Sequence, residues 1–212
     1  MKLQLKSDFR DYYDHMFDRT GEEFHRYSRT DMHRRDAFDL LSMAGYRVPP
    51  HGTAHVLSAT LDAHTPAGRT VVAYEDPHAH RGDGKKLSVV SLLPPETYCS
   101  LYIPQTKAVS VRELWVGKLW VGLKYQSDDA WRSNVGEVIT AITGMSMDIP
   151  RPAAFKDYPL IAVDLVQGED DKGYAVDLNT SPGLDSLRIL LSANDVVSYI
   201  KEFWNHRNEP QI

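Results

Sequence analysis

The sequence predicts an α+β fold, and three stretches of the 212 residues carry that prediction. From Tyr158 to Leu184 the chain reads YPLIAVDLVQGEDDKGYAVDLNTSPGL, two apolar strands joined by an acidic turn between Gly168 and Gly173. Residues 69–90, RTVVAYEDPHAHRGDGKKLSVV, have the form of a strand, a glycine-containing loop and a second strand. Residues 28–53 contain a helix instead: Ala37, Leu40, Leu41 and Ala44 fall at helical spacing, and Gly45 is placed as its C-cap.

The remaining elements follow in chain order. In residues 1–27, Phe9, Tyr12, Tyr13, Met16 and Phe17 recur at helical spacing among charged residues, which reads as an amphipathic helix. This opening becomes charged and aromatic too early for a signal peptide. The basic run from His33 to Arg35 reads as a solvated helix face. Residues 98–104, YCSLYIP, read as a core strand around Cys99, the single cysteine, whose apolar neighbours suggest a buried structural thiol. One cysteine excludes an intramolecular disulfide and a CxxC site. No internal repeat or low-complexity linker is present. With 42% hydrophobic residues the chain can bury a substantial core in one or two domains. Its formal charge of −5 gives no global field attracting nucleic acid. Apolar stretches are strand-sized, far short of the ~20 residues that cross a bilayer. A reducing cytoplasm is the expected location.

The residue chemistry concentrates in the strand pair. Asp164 and Asp177 each stand in an apolar strand, and Asn179 follows Asp177 by two, so alternation sends both to one sheet face. Three oxygen ligands from adjacent strands suit a hard cation such as Mg2+. A lone strand aspartate is more commonly a solvated edge residue, but two in paired strands, followed by Asn and Ser-Pro-Gly, are harder to read that way. In the loop RGDGKK, Gly82 and Gly84 precede Lys85 and Lys86. By itself it reads as a solvated hairpin turn. The pairs His51/His55 and His78/His80, with His64 nearby, have spacings that can present zinc ligands, although their loop contexts favour exposed or substrate-contacting histidines.

The stretch AVDLNTSPGL resembles the closing metal motif of the ATP-grasp ligases, in which an acidic residue, a hydrophobic residue and Asn precede small residues and Pro-Gly. The usual Glu is Asp here. Upstream, VSVRELWVGKLWVGLKYQSDDAWRSNVG is similar to the segment preceding the metal strands in enzymes of the ribosomal-protein glutamate ligase type, with Arg112, Val116-Gly117 and Trp131-Arg132-Ser133-Asn134 as the matching residues. SPGLDSLRILLSANDVVSYIKEFW is similar to the terminal helix region. The match is specific over roughly 108 to 205 and looser before it. Where the family carries a Lys on the first hairpin strand this chain has Ala73, and the adenine linker lacks its acidic residue.

The resemblance implies a minimal ATP-grasp fold with two lobes, each a mainly antiparallel sheet with helices, and ATP between them. Its segments would be a lead-in (1–27) holding a vestigial strand and helix, a small lobe with the covering hairpin (28–106), and a large lobe with the metal site (107–212). Asp164, Asp177 and Asn179 would hold Mg2+. Arg112 would neutralise phosphate charge, and Arg132 with Asn134 would position the acyl phosphate or the substrate carboxylate. Gly82, Gly84, Lys85, Lys86 and Lys124 would serve the phosphates, with Ser100 and Tyr102 near the adenine. The implied activity is ligation of a small-molecule or peptide carboxylate to an amine, with a homo-oligomer or partner protein expected for a grasp lacking its usual preceding domain. A non-ligating module that binds a nucleotide or a protein partner, and a kinase of the same fold, are the alternatives. Asp177→Asn is expected to abolish turnover while leaving the fold intact.

Overall fold

The computed structural model describes residues 32–61, 69–78, 84–126, 137–145, 149–180, 182 and 190–207. The lead-in of residues 1–27 lies outside these. Nine strands are described: β1 (His51–Thr53), β2 (Thr70–Tyr74), β3 (Lys85–Val89), β4 (Tyr98–Leu101), β5 (Gln105–Val116), β6 (Leu119–Gln126), β7 (Glu137–Met145), β8 (Leu160–Gly168) and β9 (Gly173–Asn179). They form a four-stranded sheet, β1-β4-β2-β3, and a five-stranded sheet, β7-β6-β5-β8-β9, with every described pairing antiparallel. Among the described residues three α-helices accompany them: α1 (Arg34–Met43), α2 (Ala54–Thr60) and α3 (Ala193–Arg207).

Local sequence sets the ends of α1. His33 is extended, and its Nδ1 accepts the Arg35 N–H at 3.0 Å, capping the first turn. At the other end Gly45 adopts φ +86°, which lets Gly45 N–H reach Ser42 O and Tyr46 N–H reach Leu41 O, both at 3.0 Å. That is a Schellman ending on the expected glycine. The buried face of α1 is Arg34, Ala37, Phe38 and Leu41, an i, i+3, i+4, i+7 stripe. It differs from the expected set, because Leu40 and Ala44 are only partly buried, and the basic run is no solvated face: Arg34 is 4% exposed.

Alternation along the large sheet gives it two apolar faces. On one, α1 packs Ala37, Phe38 and Leu41 against Trp115, Ile161, Val163 and Leu178. On the other, Val196 and Ile200 of α3 pack against Leu114, Val116, Val121 and Leu160. The small sheet is backed by Ala54 and Leu57 of α2, which meet Val71 and Cys99. Cys99 is fully buried and burial pushes its thiol up to about 11, as expected of a structural thiol.

The β5–β6 turn, at the anticipated Val-Gly pair, puts Gly117 at φ +57° against α3. A Cβ there would lie 2.2 Å from the Tyr199 backbone oxygen. Gly117→Ala therefore combines a left-handed backbone penalty with a clash that only movement of α3 relieves. Its expected cost is about 2–4 kcal/mol, read as a lower denaturation midpoint at unchanged m-value.

Candidate functional site

Strand register brings four residues into one rung of the large sheet. Leu123, Arg112, Asp164 and Asp177 are successive partners across β6, β5, β8 and β9. Asn179 pairs with Ala162, two residues along, so it shares the face of Asp177 while Leu178 turns to the opposite core. A register irregularity between Asp164 and Leu165 marks where β9 departs from regular pairing just before Asp177.

These carboxylates are covered by cations. Arg112 donates through Nε to Asp164 Oδ1 at 2.6 Å and through Nη2 to Oδ2 at 2.8 Å, a bidentate pair in which Asp164 is 5% exposed. Asp177 Oδ1 accepts from Arg34 Nη1, and its Oδ2 accepts from Lys85 Nζ at 2.9 Å. Three elements thus converge on one edge-strand residue: β9 supplies the acid, α1 the guanidinium and β3 the ammonium. Tyr74, opposite Lys85 in the β2–β3 register, lies beneath both cations, with Arg34 at 5.4 Å and Lys85 at 6.0 Å from its ring centroid. Its hydroxyl bonds Ser100 Oγ at 3.0 Å, and burial pushes its pKa up to about 12.

Electrostatics follow from this geometry. Burial alone would raise the Asp177 pKa, but Lys85 and Arg34 outweigh it and hold the carboxyl well below the usual carboxylate range. Burial opposes the charge on Arg112 too, and Asp164 more than reverses it. Because Asp177 is more acidic in the folded than in the unfolded chain, its stabilisation is complete above about pH 4 and is lost as pH falls below that. The stability gap between wild type and Asp177→Asn is therefore expected to be constant near neutrality and to close below about pH 4 in urea titrations.

No protein-family model and no curated protein matches the sequence. Solved structures do match. A RiPP-associated ATP-grasp ligase of Chryseobacterium gregarium, determined with ADP and a leader and core peptide, is 17% identical over 86% of this chain and 62% of its own, with a TM-score of 0.52. The D-cycloserine synthetase DcsG matches at 13% identity, over 82% of this chain and 70% of its own, with a TM-score of 0.53. A RimK-domain ATP-grasp protein of Sphaerobacter thermophilus matches at 18% identity, over 82% and 68%, with a TM-score of 0.50. The chain has the ATP-grasp fold. It spans about three-fifths of the length of the first ATP-grasp ligases it matches, 62% and 59%.

On this ATP-grasp frame the anticipated residues distribute unevenly. Arg112, Asp164, Asp177 and Lys85 come together, and Asn179 stands two residues along β9 from Asp177. Lys85 opens β3 and is not a loop residue, and its partner across the hairpin is Tyr74, one position beyond Ala73. Lys86 pairs instead with Glu75, both of them exposed. Gly84 forms the end of the loop at φ +65°, where its carbonyl accepts the Glu75 N–H at 2.7 Å. Lys124 is exposed and one position beyond Leu123, so it leaves the sheet on the face opposite Arg112. Ser100 is 3% exposed in the centre of the small sheet, its hydroxyl on Tyr74, while the Tyr102 N–H donates to Thr70 O at 3.0 Å and the Leu101 N–H to Pro50 O at 2.8 Å. The N–H groups of Leu101 and Tyr102 thus already have partners within the chain. Gly82, Arg132 and Asn134 lie outside the described residues.

Arg34 is the site residue that the sequence reading missed. Its signal was periodicity, since it stands three, four and seven residues before Ala37, Phe38 and Leu41. His51 stacks on Phe38 at 4.6 Å and bonds Tyr98 through Nδ1 at 2.7 Å, and His55 stands exposed on α2. Among the described residues, no group of three His, Cys, Asp or Glu side chains is placed to hold a metal. The donor set expected from the sequence for a cation is Asp164, Asp177 and the Asn179 amide. It fits Mg2+ by type, all oxygen and without imidazole or thiolate, and each carboxylate oxygen that accepts one bond keeps a second acceptor site.

Proposed function

We propose that this chain is an ATP- and Mg2+-dependent ligase that activates a carboxylate and joins it to an amine. The observation carrying this reading is the meeting of Lys85 from the small-lobe hairpin with Asp177 in the large sheet, beside the Arg112–Asp164 pair. In an ATP-grasp fold such a junction of lobes is where a polyphosphate and its metal would be held. Among the described residues three cations face two carboxylates here, a balance that suits an anionic ligand.

In this reading Asp164, Asp177 and Asn179 hold the metal, which when bound would offset phosphate charge. Lys85 and Arg34 turn towards the β- and γ-phosphates, and Arg112 keeps Asp164 ionised and fixed. Leu87 and Val89 of β3 lie on the same strand face as Lys85, are 38% and 40% exposed, and offer an apolar wall for the base. A substrate carboxylate oxygen attacks the γ-phosphorus, ADP leaves, and an amine then displaces phosphate from the acyl phosphate. Such transfer is chiefly positioning and charge neutralisation. Beside Tyr74 opens a cavity of about 510 Å³, lined also by His33, Arg35, Glu96 and Tyr98, of a size for a small substrate or a peptide side chain. The peptide-bound state of the Chryseobacterium gregarium ligase supports including peptides among the substrates to be tried.

The test is hydroxylamine trapping with Mg·ATP and a panel of free and peptide carboxylates. Hydroxamate and ADP formed in equal amounts, and absent with Asp177→Asn, are expected. ATP consumption giving a stable phosphorylated alcohol would instead make the protein a kinase.

A further inference from the structure

Every carboxylate oxygen available to a metal in this site already accepts from a side-chain cation. Asp164 has Arg112 on both oxygens, at 2.6 and 2.8 Å. Asp177 has Arg34 on Oδ1 and Lys85 on Oδ2. These groups are secluded: the side chains of Arg34 and Asp164 are 5% and 7% exposed, and those of Lys85 and Asp177 14% and 16%. We propose that Arg34 and Lys85 are a counter-ion lock on Asp177, which makes divalent metal binding conditional on a polyphosphate anion. The inference rests on the nucleotide-site reading above and adds the order in which that site fills.

Charge and position argue for it. A divalent cation arriving alone would enter a patch in which the described residues set three cations against two carboxylates, and it would compete with an ammonium and a guanidinium within hydrogen-bond distance of its own ligand. In a secluded site that repulsion is little screened. A polyphosphate arriving with the metal reverses the balance. Arg34 and Lys85 exchange a carboxylate for phosphate oxygens, each an equally strong charge-assisted acceptor, and Asp177 is released to the metal. The two locking groups come from separate elements, α1 and the edge strand β3, so each can turn from acid to anion without disturbing β9. Arg112 differs in kind. It lies beside Asp164 on the adjacent strand and grips it with two bonds, so it holds that acid in place through the exchange.

The experiment uses Mn2+ as the metal, followed by its electron paramagnetic resonance on the full chain, alone and with saturating tripolyphosphate. Wild type is expected to bind no Mn2+ alone at millimolar concentration and to form a protein-bound Mn2+ signal once tripolyphosphate is added. Lys85→Gln and Arg34→Gln, tested separately, are expected to take up Mn2+ alone about 10-fold or more tightly than wild type, a gain within the usual range of site coupling. If Arg34→Gln does not fold, as circular dichroism will show, Lys85→Gln carries the test. Equal Mn2+ affinity with and without tripolyphosphate in wild type, or a folded Lys85→Gln with no gain, would overturn the lock and leave the nucleotide site standing. Absence of any wild-type signal with metal and anion together would overturn the nucleotide-site reading and the lock with it.

Discussion

Arg112→Leu is expected to lower stability by about 3–5 kcal/mol, because it strips the guanidinium from a buried carboxylate that it grips with two bonds. The paired change Arg112→Leu with Asp164→Leu should recover most of that loss or exceed it. Apolar residues of similar volume replacing a buried ion pair are often neutral to about 4 kcal/mol stabilising, since neither charge must then be desolvated. Leu123 and Leu114 already make this part of the sheet a good apolar neighbour. Guanidinium titrations of the two single variants and the double variant separate the cases. A stable double variant that fails to bind nucleotide would mean the pair is kept for its chemistry. A double variant as weak as the singles would mean that the pair is a structural necessity.

The second large effect belongs to Asp177→Asn. Turnover should fall about 10³-fold or more, on the scale of losing a charge that positions phosphoryl transfer. The fold is expected to stay intact, as the sequence suggests, but with less stability in reserve. Asp177 is the shared counter-ion of Arg34 and Lys85, and Arg34 is 4% exposed. Removing its charge is expected to cost about 3–5 kcal/mol near neutral pH. Activity should therefore be measured well below the melting temperature of the variant, and a loss of turnover with unchanged circular dichroism is the expected result.

What was legible in the sequence was local. Asp164 and Asp177 on paired strands, the shared face of Asp177 and Asn179 and the glycine that ends α1 follow from alternation, turn chemistry and capping, each within a few residues, and the Val116-Gly117 turn follows from the family resemblance. Partners of those acids were not legible, because Arg34 and Lys85 stand 143 and 92 residues from Asp177 and no local rule connects them. Lys85 was singled out for its charge, yet its use depended on knowing that it faces Tyr74 across the hairpin. For Arg34 a three-residue basic run was weighed as a unit, when its middle member alone stood on the apolar stripe of α1. Lys124 shows the reverse: a plausible cation that strand parity turns away from the site.

The central claim is that Lys85 and Asp177 mark a nucleotide-phosphate site between the two sheets. Calorimetric titration of wild type and Lys85→Met with Mg·ADP tests it most directly. The expected result is saturable binding by wild type, weakened in Lys85→Met by about 1.5–3 kcal/mol, roughly 10- to 150-fold, the worth of one charge-assisted contact. No binding by wild type, or equal binding by a folded Lys85→Met, would contradict it.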